Sequence, residues 1–254
     1  MKPRGTILVY HALGECADEA HGLFQPIEEF AEQMELLGRF ARVVSLEDIV
    51  AGRVRRGRPN VAITFDDGYR SVLRDAAPIL QSHGFPATAF VPTGWVGKRN
   101  EWDLPTTCPV ELMDAGELVS AERAGVAIES HGHDHIDLGD AEETEAHADL
   151  ARSVEAFHEL LGRRPRYLAY PFGSTSATAE HAAARAGFDA AFAIGVRHRG
   201  TFAWERVGIN EPDGRALFVL KALGLYLPLR RSRIGALAYG AAKPLIARKR
   251  WSKS

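Results

Sequence analysis

The chain has 254 residues, 46% of them apolar and 25% charged, with 13 prolines, enough to bury one large core and too ordinary a balance for a disordered or fibrous chain. Two cysteines, Cys16 and Cys108, are too few for a disulfide scaffold, lack C-x-x-C spacing and read as free thiols. The net charge of −2 is unevenly spread, since positions 216 to 254 hold nine Lys or Arg and no acid, which leaves −11 on the rest.

In chain order, Lys2 and Arg4 precede an apolar run at 7–9 that Tyr10 and His11 interrupt. That run is too short for a signal peptide, and no stretch approaches the ~18 apolar residues of a membrane span. A soluble, cytoplasmic protein is therefore expected. Strands are predicted over 6–10, 42–44, 61–65, 87–91, 126–129, 167–170 and 190–193, from short β-rich runs. Helical periodicity fills the intervals over 27–37, 71–83, 110–124, 141–161 and 178–186. Gly38, Gly84, Gly125, Gly162 and Gly187 each stand just past one of these segments, where a left-handed residue ends a helix. Strand and helix alternate without a linker, which predicts an α/β fold with parallel strands in one domain over 1–215. The stretch 93–109, with Trp95 and Trp102, is the longest apparent loop and the expected lid or substrate-contact segment. Positions 216–254 read as a basic amphipathic helical extension. Its apolar face either packs on the body or lies on an anionic membrane face or an acidic partner. The acidic body argues against nucleic acid as a partner.

Three predicted strands run into polar or turn-forming clusters: 61–65 into Asp66-Asp67-Gly68-Tyr69, 126–129 into Ser130-His131-Gly132-His133-Asp134-His135, and 167–169 into Tyr170-Pro171-Phe172-Gly173. Chemistry in barrels and open α/β sheets sits at the C-terminal ends of parallel strands, so these clusters converge on one rim. Adjacent carboxylates resist joint ionisation unless a cation compensates. A metal held by Asp67 would leave Asp66 free to accept a proton from a water, although Asp-Asp-Gly is also ordinary turn chemistry. His131 and His135 have a spacing at which two imidazoles face one point. Two His and one Asp leave an open position, as catalytic metal sites do. Zinc is the default divalent ion, with cobalt, nickel and iron open by ligand type. His133 reads as a support or a solvated residue rather than a ligand.

Together these motifs, in this order, resemble the polysaccharide deacetylase (NodB-homology) family over roughly residues 6 to 209. The resemblance implies a distorted (β/α)7-type barrel, in agreement with the strand count. It also implies a metal-dependent hydrolase that removes an N-acetyl or N-formyl group from an amino sugar. Asp66 is implied as the base and Asp67, His131 and His135 as the metal ligands. Tyr170, Pro171 and Phe172 are implied on the substrate side, with the Phe172 N–H at the oxyanion. The late His that serves many members as general acid is absent, the last histidine being His198. His11, after Leu8-Val9-Tyr10, looks like the N-terminal Tyr-His of permuted members and is the expected acid, with His198, or a purely structural role for both, as the alternatives. Ala169 stands where many members have an Arg that orients the base. Arg206 either supplies that guanidinium from a late strand or pairs with an acid such as Glu205. The implied substrate is an N-acyl amino sugar in a glycan; an intracellular sugar, a nucleotide-sugar derivative or a lipid-linked glycan at the inner membrane face fits the expected location, and the basic extension favours the last. A catalytically impaired carbohydrate-binding barrel and a hydrolase of a non-sugar C–N bond are the alternatives.

Overall fold

A computed structural model describes residues 5–15, 23–103, 109–195, 200–210 and 213–232. Cys16, Cys108, His198 and everything after Ser232, and so most of the basic extension, lie outside the described residues. The elements run β1 Thr6–Tyr10, β2 Ala12–Leu13, β3 Phe24–Gln25, α1 Ile27–Phe40, β4 Arg42–Val43, α2 Leu46–Val50, β5 Asn60–Phe65, α3 Ala77–His83 and β6 Ala87–Val91. They continue with α4 Ala115–Arg123, β7 Val126–Ser130, α5 Glu143–Leu161, β8 Tyr167–Ala169, α6 Ala177–Arg185, β9 Ala190–Ile194, β10 Trp204–Gly208, α7 Arg215–Ala222 and α8 Tyr226–Arg231.

Seven parallel strands close into a barrel in the order β1-β5-β6-β7-β8-β9-β10, with β10 returning to β1. Leu8, for example, stands opposite both Ile63 and Val207. The seventh strand is not the one expected. The predicted strand at 42–44 exists as β4 but pairs only with the start of β5, outside the circuit, and the ring is completed by β10, whose charged Trp-Glu-Arg-Val-Gly lacks an apolar run. No helix among the described residues is long and apolar enough to cross a membrane.

Both faces of this sheet are covered, so most of its strands are largely apolar and alternate between two cores, β10 being the charged exception. Ile7, Ala62, Phe90, Ala169 and Phe192 fill the barrel, and Leu46 and Ile49 of α2 join them. Leu8, Tyr10, Val61, Ile63 and Phe65 face outward against α1, α3 and α4, and a second outer cluster gathers Leu168, Tyr170 and Ala191 with α5 and α6. Gly84 and Gly162 end their helices in the left-handed conformation as expected. Gly38 does not, and α1 continues to Phe40. The helix predicted from 110 begins only at Ala115, because Asp114 caps it: its Oδ1 accepts the Glu117 N–H at 2.9 Å and Glu117 Oε2 accepts the Asp114 N–H at 3.0 Å. The segment predicted as one helix over 71–83 opens with a wide turn, Val72–Ala76. Pro78, lacking an N–H, cannot donate to the fourth carbonyl before it.

Candidate metal centre at the barrel mouth

All three polar clusters lie just past the C-terminal ends of β5, β7 and β8, on one rim. The Asp66 N–H bonds to Tyr10 O at 2.9 Å and the His131 N–H to Val91 O at 2.9 Å, so each chain leaves its strand still tied to its neighbour. Asp67, His135 and Phe172 are the non-glycine residues with positive φ among those described, at 69°, 59° and 58°. Such backbone costs about 1–3 kcal/mol per residue and persists where the surroundings impose it, typically at functional sites.

Asp67 Oδ1 stands 3.1 Å from His135 Nε2 and 3.3 Å from His131 Nε2, and all three residues are buried. Those separations match the roughly 3.3 Å edge of a tetrahedron whose bonds are about 2.0–2.1 Å, as for zinc with nitrogen and oxygen donors. The other ring nitrogen of His131, Nδ1, lies 2.8 Å from Ala169 O, which leaves Nε2 as the donor for an ion. His135 is stacked on Trp102 at 4.3 Å between centroids and meets the edge of Phe172 at 4.8 Å. The donor types, their convergence and the fixed tautomer all fit a divalent cation.

Asp66 stays out of this group. Arg206, with no exposed surface, grips its carboxylate with both arms, Nη1 to Oδ1 at 2.6 Å and Nη2 to Oδ2 at 2.7 Å. Nη1 also reaches Thr64 Oγ1 at 3.3 Å, and that hydroxyl donates to Leu8 O at 2.8 Å. Arg206 therefore pairs with Asp66 rather than with its neighbour Glu205, which is paired with Arg231. Burial pushes the Asp66 carboxyl up, but the charges of Arg206 and His131 outweigh it and hold it below the usual carboxylate range. Asp67 is likewise raised by burial and drawn well below that range by its hydrogen bonds with His131 and His135. Burial lowers His131, and the charges of Asp66 and Asp67 more than reverse this.

Of the remaining expected residues, His11 follows β1 onto the same rim, and its charge helps lower both carboxyl groups. Its Nδ1 is buried without a hydrogen-bond partner among the described residues. Tyr170 is a correction: its side chain points into the outer helix layer, fully buried, and its hydroxyl donates to Phe202 O at 2.9 Å, so it cannot touch a substrate. Pro171 is buried too, whereas the Phe172 side chain is 59% exposed beside His135. His133 is no part of the ligand group, its Nδ1 lying 2.9 Å from Thr93 Oγ1. Trp95 and Trp102 of the long loop do reach the site, packing edge to face at 5.0 Å. Asp149, which holds the histidine loop from α5, was not foreseen. Nothing local marks it in the sequence, because its partners are backbone amides 15 and 16 residues away.

A parallel barrel whose mouth gathers a metal-competent Asp-His-His group beside a second, separately held carboxylate defines a hydrolytic site. Residues 53–191, more than half of the chain, match the polysaccharide deacetylase family model, and the chain belongs to that family. It is accordingly a hydrolase acting on carbon–nitrogen bonds other than peptide bonds. Among similar proteins, YxkH of Bacillus subtilis is 24% identical over 216 residues, covering 80% of this chain and 71% of that protein. The poly-β-1,6-N-acetyl-D-glucosamine N-deacetylase of Staphylococcus epidermidis is 27% identical over 158 residues, covering 58% of this chain. The chain spans about half, 53%, of that enzyme's length. The solved structure of IcaB from Ammonifex degensii superposes with a TM-score of 0.72 at 24% identity, over 87% of this chain and 97% of that one, and shares the fold.

Proposed function

We propose that the chain removes the N-acetyl, or alternatively N-formyl, group from an amino sugar within a glycan, with Asp67, His131 and His135 holding a divalent metal, by donor type zinc. The observation that carries this reading is the division of labour between neighbouring carboxylates: Asp67 converges with two imidazoles, while Asp66 is pinned apart by Arg206. A cation bound there supplies Lewis acidity toward the amide and makes a water acidic at neutral pH. Asp66, kept ionised by Arg206, accepts the proton of the attacking water. The Phe172 N–H, on its left-handed turn, helps hold the oxyanion. His11, just past the end of β1, the strand next to β5, donates a proton to the departing amine. The exposed Phe172 ring and the Trp95–Trp102 pair form an aromatic wall against which a sugar ring can lie. The named substrate of the staphylococcal relative supports an N-acetylated glycan as the substrate class. Cytoplasmic residence, with the basic extension against the inner membrane face and a lipid-linked glycan as substrate, completes the proposal.

The test is product analysis on zinc-loaded protein with β-linked N-acetylglucosamine oligomers. Free acetate in step with new primary amine is the expected result, and formate from an N-formyl substrate would mark the alternative acyl group. Asp66→Asn should lose about 10²–10⁴-fold in turnover and keep its metal. No acyl release from metal-replete wild-type protein would refute the reading in favour of a binding barrel.

A further inference from the structure

The loop that carries His131 and His135 has no regular secondary structure, yet most of its backbone polar groups are hydrogen-bonded. From one side the long loop supplies donors: Thr93 N–H to Gly132 O at 3.1 Å, Gly94 N–H to His133 O at 3.0 Å, and Trp95 Nε1–H to Asp134 O at 3.2 Å. On the other side the His131 N–H is taken by Val91 O and the Gly132 N–H by Ser130 Oγ at 3.2 Å, and one residue accepts the next two. Asp149, fully buried on α5, receives the His133 N–H on Oδ2 at 2.9 Å and the Asp134 N–H on Oδ1 at 2.8 Å. Gly132 makes room for it, since a Cβ there would lie 2.8 Å from Asp149 Oδ2, and its φ of 77° is one that side-chain-bearing residues rarely adopt. Arg152 borders the arrangement, 2.6 Å from Asp134 Oδ2 and 3.7 Å from Asp149 Oδ1.

We infer that Asp149 is a positioning residue for metal capture: its carboxylate clamps two successive amides midway between the two ligand histidines and so holds both Nε2 atoms on Asp67 in advance of the ion. The inference rests on the metal-site reading above. Two amides aimed at one carboxylate require an acceptor at both oxygens, and only the ionised acid provides that. Asparagine, of the same shape, has one acceptor oxygen and must set an N–H against the other amide. The loop then loses its fixed curvature, and His135, whose Nδ1 has no hydrogen-bond partner among the described residues, loses most.

The experiment measures zinc affinity by chelator competition, in folded protein, for wild type and Asp149→Asn, together with the melting temperature of the metal-free forms. Loss of a residue supporting metal ligands typically lowers affinity 10–100-fold, and that is the expected fall, with turnover largely restored at saturating zinc. Affinity within twofold of wild type, whatever the melting temperature, would overturn the inference and leave Asp149 a merely structural residue. Failure of the wild type itself to bind zinc would instead refute the metal-site reading. Should the variant not fold, amide exchange in the wild type decides: the His133 and Asp134 protons are expected to exchange slowly in the metal-free protein, and exchange as fast as exposed loop amides would overturn the inference.

Discussion

Replacing Arg206 by Met removes the guanidinium from beneath Asp66 while roughly keeping its volume inside the barrel. Two charge-assisted hydrogen bonds of 2.6 and 2.7 Å vanish, and a fully buried carboxylate is left without its cation. Breaking a buried pair on one side costs about 3–5 kcal/mol. For a chain of this size that is a fall of roughly 6–20 °C in melting temperature, at about 2–4 °C per kcal/mol. The pH dependence has a definite sign. In the wild type the Asp66 carboxyl lies below its usual range, so it contributes stability above its unfolded pKa of about 3.9 and loses that contribution as pH falls through the folded value. In Arg206→Met, burial is no longer outweighed by the guanidinium, so the carboxyl shifts upward and its ionisation at neutral pH destabilises the fold. The gap between wild type and variant is therefore wide at pH 7 and narrows toward pH 4. Melts at pH 7 and pH 4.5, by calorimetry or circular dichroism, read this directly, and the acid limb of the activity profile should move to higher pH. A melting change below about 2 °C, or a gap independent of pH, would refute the reasoning.

His11→Gln should lower turnover by about 10²–10⁴-fold with zinc affinity unchanged, read from steady-state kinetics and metal titration, whereas His198→Gln should leave both near wild type. Activity on substrates with better leaving amines should suffer less in His11→Gln, since they need the acid least. Joint replacement of Arg230, Arg231 and Arg233 by Gln should reduce cosedimentation with anionic vesicles, each cation near such a surface contributing about 1 kcal/mol. Unchanged partitioning would remove the membrane proposal.

Most of the barrel is legible from residue pattern because its strands are buried on both faces. The runs at 61–65 and 87–91 are almost uninterrupted apolar segments, and they become β5 and β6. Strand β10 escapes the same reading because it serves two masters: Glu205 points out to Arg231, and Arg206 points in to Asp66, so its charges mask its β character. The site was legible wherever one motif holds several of its residues, as with Asp66 and Asp67 or His131 and His135. Contacts that depend on three-dimensional neighbours were not. Tyr170 belongs to the right motif, but alternation along β8 turns it away from the mouth. Trp102 could be placed only in a loop, and its stacking on His135 follows from the path of that loop. The left-handed backbone at Asp67, His135 and Phe172 left no trace, since none of the three is a glycine.

The most direct measurement is zinc K-edge absorption on the reconstituted protein, with metal stoichiometry, for wild type and the Asp67→Ala and His135→Ala variants. One ion per chain is expected, with two imidazole nitrogens and the remaining ligands oxygen, and with binding lost or greatly weakened in either variant. No stoichiometric metal, a third imidazole in the shell, or variants that bind as wild type does would contradict the assignment of Asp67, His131 and His135.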